Sequence, residues 1–282
     1  MSLERRDLSA TGLPRSLTDV SELVTLPVGN GVPALVSQPR GDGRAQLLVW
    51  MHGRTVDKFL DPGRYNRLVR AGIATCAIDL PGHGERVSLL GEAPAHDPSR
   101  SLDVIEQAVG EIDGVVRAIA DEFGDRIDTS RLAIGGMSLG GMVTLRRLCE
   151  PHSFACASVE ATSGNLAGLY FDDDGPRAGW PVVHERADVA RVDPMEHVDG
   201  FTPVPLLVLH SEADEMVPWS VQRRFLDAVR PRYDAAGARL DVRTWPETGA
   251  PGEHVGFGRV SNEAKTLQTA FLAEYLTGGT GA

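Results

Sequence analysis

Apolar residues in this chain come in short dense runs, and the stretches between the runs carry helical spacing. Gln46 to Met51 (QLLVWM), Ile73 to Ile78, Arg131 to Gly135, Ala155 to Glu160 and Pro205 to His210 (PLLVLH) are almost continuously apolar. Such runs are expected of strands covered on both faces. Leu240 to Trp245 reads as a last strand. Between them, Pro62 to Ala71, Met142 to Leu148, Val221 to Val229 and Asn262 to Leu276 read as helices. The longest helix is expected from Ser101 to Phe123, with Leu102, Val104, Ile105, Ala108, Ile112, Val115, Val116 and Ile119 on one side. Glu22 to Val28 and Val32 to Ser37 flank Gly29-Asn30-Gly31, a hairpin signal. Strands alternating with helices predict an α/β fold, with a mostly parallel sheet and right-handed crossovers.

Two stretches depart from this rhythm. Residues 1–20 are polar and are expected to be irregular or peripheral. Residues from about 162 to 200 are rich in Gly, Asp and Pro, with Leu166, Leu169, Tyr170, Phe171 and Trp180 interspersed. A segment of that kind inside a regular chain is expected to be functional or mobile, with Tyr170, Phe171 and Trp180 either lining part of an acyl pocket or packing a small core of their own. No repeat or linker interrupts the chain, so 1–282 reads as a single domain.

With 282 residues, 42% of them hydrophobic, the chain can bury a substantial core. A formal charge of −11 argues against nucleic acid as a partner, because phosphate binding needs a basic face. The three cysteines, Cys76, Cys149 and Cys156, show neither paired nor zinc-ligand spacing, which fits a reducing cytoplasm. No apolar core follows Arg5-Arg6, and no run of about 18 apolar residues occurs. The expectation is therefore a cytoplasmic protein without a membrane partner, its oligomeric state open and a homo-oligomer among the options.

One motif adds chemistry. Gly136-Met137-Ser138-Leu139-Gly140 lies between a predicted strand and a predicted helix, the setting of a nucleophile elbow. A serine hydroxyl needs a base, and the base needs an acid to orient it. Asp214 follows the PLLVLH strand and is the preferred acid, with Glu212 and Glu215 as alternatives. In an elbow fold the histidine comes after the acid, and His254 is the only histidine beyond Asp214. The His52-Gly53-Arg54 loop should face the elbow, so that the backbone N–H groups of Leu139 and Arg54 converge on one oxygen. His52 is expected to orient that loop and is also a candidate substrate contact. Asp79 to Gly84 (DLPGHG) reads as a structural turn, and His210 as a packing or supporting residue. No metal motif and no phosphate-binding glycine loop occurs, so no cofactor is expected.

Together HGR at 52–54, DLPGHG at 79–84, GMSLG at 136–140, ADEMVP at 213–218 and GEHVGF at 252–257 carry a resemblance. The sequence is similar to the α/β-hydrolase superfamily, and within it to serine esterases related to dienelactone hydrolases and prolyl-oligopeptidase-type domains. The resemblance covers roughly residues 20 to 276. It implies an α/β-hydrolase fold with a short lid-like insertion at about 162–200, Ser138, Asp214 and His254 as a triad, Leu139 and Arg54 as oxyanion donors, and a small-molecule ester as substrate. The same triad would serve a peptidase, a thioesterase or a carbon–carbon hydrolase. A large accessory domain is expected of an oligopeptidase, and this length leaves no room for one. A silent hydrolase fold acting as a ligand receptor is the alternative of another class.

Overall fold

The computed structural model describes residues 3–9, 11–89, 97–172, 175–176, 182 and 184–278. Its elements run β1 (Glu4–Arg6), α1 (Arg15–Thr18), β2 (Ser21–Leu26), β3 (Val32–Ser37), β4 (Ala45–Met51), α2 (Pro62–Arg70) and β5 (Ala74–Ile78). They continue with α3 (Ser101–Phe123), β6 (Ile127–Met137), α4 (Leu139–Arg147), β7 (Cys156–Glu160), α5 (Ala167–Tyr170), β8 (Phe171–Asp172) and β9 (Gly175–Pro176). The last are α6 (Arg186–Val192), β10 (Leu206–Ser211), α7 (Trp219–Ala236), β11 (Leu240–Trp245) and α8 (Ser261–Thr277).

The main sheet has the order β1-β2-β3-β5-β4-β6-β7-β10-β11. The β1, β2 and β3 end pairs antiparallel, including the step from β3 to β5, and every pairing from β5 to β11 is parallel. The run QLLVWM shows why the parallel strands are apolar throughout. Leu47, Val49 and Met51 enter the core beneath α3, α4 and α7, while Leu48 and Trp50 enter the core beneath α2 and α8. Each fully buried leucine contributes about 1.5–3 kcal/mol, so both layers are held by the same strands.

Three features differ from the pattern reading. Strand β6 begins at Ile127, because Asp128 pairs with Gln46 and Leu132 with Leu47, leaving the polar residues between them bulged out. Within 1–20, β1 extends the sheet edge and Leu17 is fully buried, so the segment is peripheral but not irregular. The described part of 162–200 holds α5, α6 and a two-stranded β8–β9 pair. Buried Asp193 accepts the N–H groups of Leu166, Ala167 and Met195 at 2.8, 2.7 and 3.0 Å, tying the segment's two ends together. Among the described residues, no helix is long and apolar enough to cross a membrane.

Candidate active site

The site is assembled beyond the carboxyl ends of the parallel strands, where an open α/β sheet places its reactive groups. Strand β6 ends at Met137 and α4 starts at Leu139, which leaves Ser138 at φ +50°, ψ −117°. A non-glycine residue in that region is strained. The turn closes because positions 136 and 140 lack side chains. A Cβ on Gly140 would lie 2.3 Å from the Met51 carbonyl oxygen, and one on Gly136 would lie 2.4 Å from Gly140. Ser138 N–H donates to the Glu160 carbonyl at 2.9 Å, and the Ser138 carbonyl accepts from Thr162 Oγ1 at 2.7 Å and from Met142 N–H at 3.0 Å.

The loops after β10 and β11 bring two further side chains to this turn. His254 Nε2 lies 2.9 Å from Ser138 Oγ, and His254 Nδ1 lies 2.8 Å from Asp214 Oδ2. The other oxygen of Asp214 accepts the N–H groups of Met216 and Val217 at 2.8 and 2.7 Å, which fixes the carboxylate plane. Glu212 instead accepts from Thr244 Oγ1 at 2.7 Å on the exposed side of β11, and Glu215 lies at the cavity wall. Neither alternative acid meets the imidazole. His210 is buried beside Asp214, its Nε2 3.7 Å from Oδ2, and its Nε2–H donates to the Val217 carbonyl at 2.8 Å. Burial pushes the His210 pKa down, so this ring supports the acid turn as a neutral group.

Gly53 passes close over Ser138: a Cβ there would lie 3.3 Å from Ser138 Cβ. Among the described residues, the Leu139 and Arg54 N–H groups have no acceptor. His52 is buried and lines neither cavity at the serine. Its Nδ1–H donates to the Gly53 carbonyl at 2.7 Å and its Nε2 accepts Leu80 N–H at 3.1 Å, stapling the Arg54 loop to the DLPGHG turn. Burial lowers its pKa to about 4, so the ring stays neutral near pH 7. Its ring thus ties down the loop that carries Arg54 and is set back from both cavities. Asp79 organises the turn, accepting the Lys58 and Glu85 N–H groups, each at 3.0 Å, and pairing with the buried Lys58 ammonium at 2.7 Å. Gly84, at φ +51°, leaves no space for a Cβ against the Asp79 carboxylate.

Two groups that the sequence reading passed over hold the site from below and from the side. Glu160, whose carbonyl fixes Ser138, has its carboxylate gripped by Arg64 at 2.6 and 2.7 Å, and Arg64 lies over the Trp50 ring. Burial pushes the Arg64 pKa down, but the charges of Glu160 and Asp61 and the hydrogen bonds to Glu160 together outweigh it, and the net shift is upward. Glu253, next to His254, accepts Thr248 N–H, Thr248 Oγ1, Gly249 N–H and Ser211 Oγ. Those donors, Thr248 N–H foremost, hold its carboxyl down at about 2. The signal for Glu253 was its place inside a glycine-bearing turn, since positive φ at Gly252 and Glu253 leaves the loop in need of an internal acceptor.

Two cavities meet at Ser138 and His254. One, of about 250 Å3, is bounded by Leu139, Met142, Tyr170, Val217, Glu215 and the α3 end near Pro98 and Ser101. The other, of about 280 Å3, is bounded by the 53–56 turn, Leu60, Met137, Met216 and the 251–255 turn. Tyr170 therefore faces the first cavity. Phe171 is buried away from it under the Arg186 guanidinium, 4.3 Å from its ring, and Trp180 lies outside the described residues. Among the described residues, no cluster of His, Cys, Asp and Glu could hold a metal ion, and the three cysteines are buried and unpaired.

The pattern of the prolyl oligopeptidase family matches residues 68–279, which contain the elbow, the acid turn and the histidine loop. This chain belongs to the prolyl oligopeptidase family. It is 24% identical over 268 residues to esterase YjfP of Escherichia coli, covering 93% of this chain and 98% of the relative. Among solved structures it resembles TT1662 from Thermus thermophilus, with TM-score 0.63, 22% identity and 98% of each chain covered. It also resembles Thermogutta terrifontis esterase 2 phosphonylated by sarin, with TM-score 0.64 and 16% identity over 87% of this chain and 91% of that one. These likenesses identify the fold as that of the α/β hydrolases.

Proposed function

We propose that this family member is a serine esterase that cleaves small to medium carboxylic esters through an acyl-enzyme. Ser138 Oγ attacks the ester carbonyl while His254 Nε2 takes its proton, and the Leu139 and Arg54 N–H groups receive the oxyanion. The protonated imidazole then passes its proton to the departing alkoxide oxygen as the carbon–oxygen bond breaks. Water, deprotonated by the same nitrogen, attacks the acyl-serine and releases the acid, restoring Ser138. Asp214 holds the Nδ1–H tautomer and offsets the charge that His254 gains. Each oxyanion donor lowers the barrier by about 2.7–4 kcal/mol.

The observation that carries this reading is the unbroken line from Asp214 through His254 to a serine in strained backbone, with contacts of 2.8 and 2.9 Å. The ester preference is supported by the relative YjfP, an esterase matched along nearly its whole length. Ser138→Ala should abolish turnover of p-nitrophenyl acetate while leaving the unfolding midpoint within the range of a surface change. Wild-type activity in that variant would overturn the assignment. A fluorophosphonate should label the wild type stoichiometrically at Ser138, which a silent ligand receptor would not show. Matched amide and thioester substrates should turn over more slowly than the ester.

A further inference from the structure

Four side chains with ionisable groups, those of His254, Glu215, Tyr170 and Arg54, line the cavities beside Ser138. His254 belongs to the proton relay and Glu215 stands at the wall of the first cavity. Arg54 lines both cavities, half-buried, and among the described residues its guanidinium has no carboxylate, hydrogen-bond or ring partner. The more deeply buried arginines behave otherwise, since Arg64, Arg86 and Arg147 pair with Glu160, Glu111 and Asp113. The turn that presents Arg54 is constrained. Thr55 follows at φ +69°, a backbone region that a β-branched residue rarely occupies. His52, on the other flank, is stapled through both ring nitrogens.

The second cavity indicates what this cation meets. Its walls include Val56, Leu60, Met216 and Val255, and Arg54 and His254 are its only ionisable residues among the described ones. Leu60, Met216 and Val255 are 37%, 42% and 50% exposed, so half of the six exposed large hydrophobics among the described residues gather at this mouth. A fixed charge against such walls is weakly screened and attracts an opposite charge more strongly than it would in open water. The same cavity is bounded by Pro251, Gly252, His254 and Val255, the loop whose imidazole must protonate the departing oxygen. His254 borders both cavities, but only this one is walled by the rest of its loop, and we assign the alcohol half of the substrate to this side.

From these placements, and resting on the esterase reading above, we propose that Arg54 binds an anionic group on the alcohol half of the substrate. The preferred substrates are esters of apolar alcohols or phenols that bear a carboxylate. Glu215, at the wall of the first cavity and with Oε2 3.7 Å from the Cβ position of Gly252 in the second, opposes an anion on either side and limits the preference that Arg54 creates.

The test compares kcat/KM for meta-butyryloxybenzoate with that for its neutral isostere, meta-butyryloxybenzamide. The wild type should favour the acid by about tenfold or more, as a charge-assisted pair allows. The preference should shrink with added salt. Arg54→Gln should bring the ratio to about one or below, Arg54→Lys should keep part of it, and Glu215→Gln should raise it. Any damage to the Arg54 N–H lowers both rates alike, so the ratio isolates the guanidinium. A wild-type ratio of one, or a ratio unmoved by Arg54→Gln, overturns the proposal. So does a preference seen only when the carboxylate sits on the acyl half, as in monophenyl adipate. Titration calorimetry with meta-hydroxybenzoate needs no turnover. Arg54-dependent binding of this acid without hydrolysis of either ester would sustain the anion site and overturn the esterase reading, and the absence of such binding would overturn the site.

Discussion

Replacing Asp214 by asparagine changes one oxygen to an NH2 group, and the structure dictates which one. Oδ1 accepts two backbone N–H groups, from Met216 and Val217, at 2.8 and 2.7 Å. An amide turned with its NH2 toward them would oppose donors with donors and leave them unsatisfied, at about 1–3 kcal/mol each. The amide oxygen therefore takes the Oδ1 place, and the NH2 faces His254 Nδ1, now 2.8 Å from Oδ2. Nδ1 must then accept, which moves the ring proton to Nε2, pointing at Ser138 Oγ. The imidazole is left in place but unable to take the serine proton. Loss of a charge-assisted hydrogen bond alone accounts for about 1.5–3 kcal/mol, or one to two decades of rate. The wrong tautomer adds the rest, for a fall in kcat of about ten-thousand-fold, near 5 kcal/mol. Steady-state hydrolysis of p-nitrophenyl acetate at neutral pH measures it, with the urea midpoint as a check on folding. A folded Asp214→Asn enzyme within about tenfold of wild type would refute the reasoning.

Other substitutions probe the frame around the relay. Gly140→Ala sets a Cβ 2.3 Å from the Met51 carbonyl oxygen and should cost at least about 1–3 kcal/mol; an unchanged urea midpoint would contradict this. Arg64→Met strands the Glu160 carboxylate in a buried site and should lose about 3–5 kcal/mol of stability. The double variant Arg64→Met, Glu160→Leu should regain part of that loss, and a double variant less stable than the single one would count against the pairing. Glu253 titrates at about 2, below its unfolded value, so its contribution is present above the unfolded pKa and fades as pH falls through the folded one. In Glu253→Gln, stability and activity should lose part of their dependence on pH between about 4 and 2, measured as urea midpoint and residual activity against pH. A profile identical to wild type would show that the carboxylate is idle.

Periodicity served well where one rule governed a segment. Strands such as Leu47 to Met51 feed two cores at once, and that leaves an unmistakable apolar run. The elbow was legible because close backbone approach demands glycine at 136 and 140. The start of α4 was not, because Gly140 and Gly141 lower helix propensity while the turn needs them. Strand β6 hid its first residues because bulged polar side chains imitate a loop. Leu17 and Asp193 were obscured for another reason: each answers to partners distant in sequence, which local pattern does not register. Among the acids after β10, the choice of Asp214 over Glu212 and Glu215 rested on position, and only Asp214 reaches His254. Glu253 escaped notice because four donors converge on it only once the turn has formed.

The contacts at residue 138 divide cleanly between its main chain and its side chain. The carbonyl of Glu160, the hydroxyl of Thr162 and the N–H of Met142 all engage backbone atoms, while the γ oxygen meets the imidazole alone. The mounting is therefore blind to which atom it displays. A lineage could exchange the displayed group for a thiol or a carboxylate by a single codon step or two and inherit the posture intact. Diversification of chemistry on such a scaffold is limited by the partners across the gap, not by the pedestal.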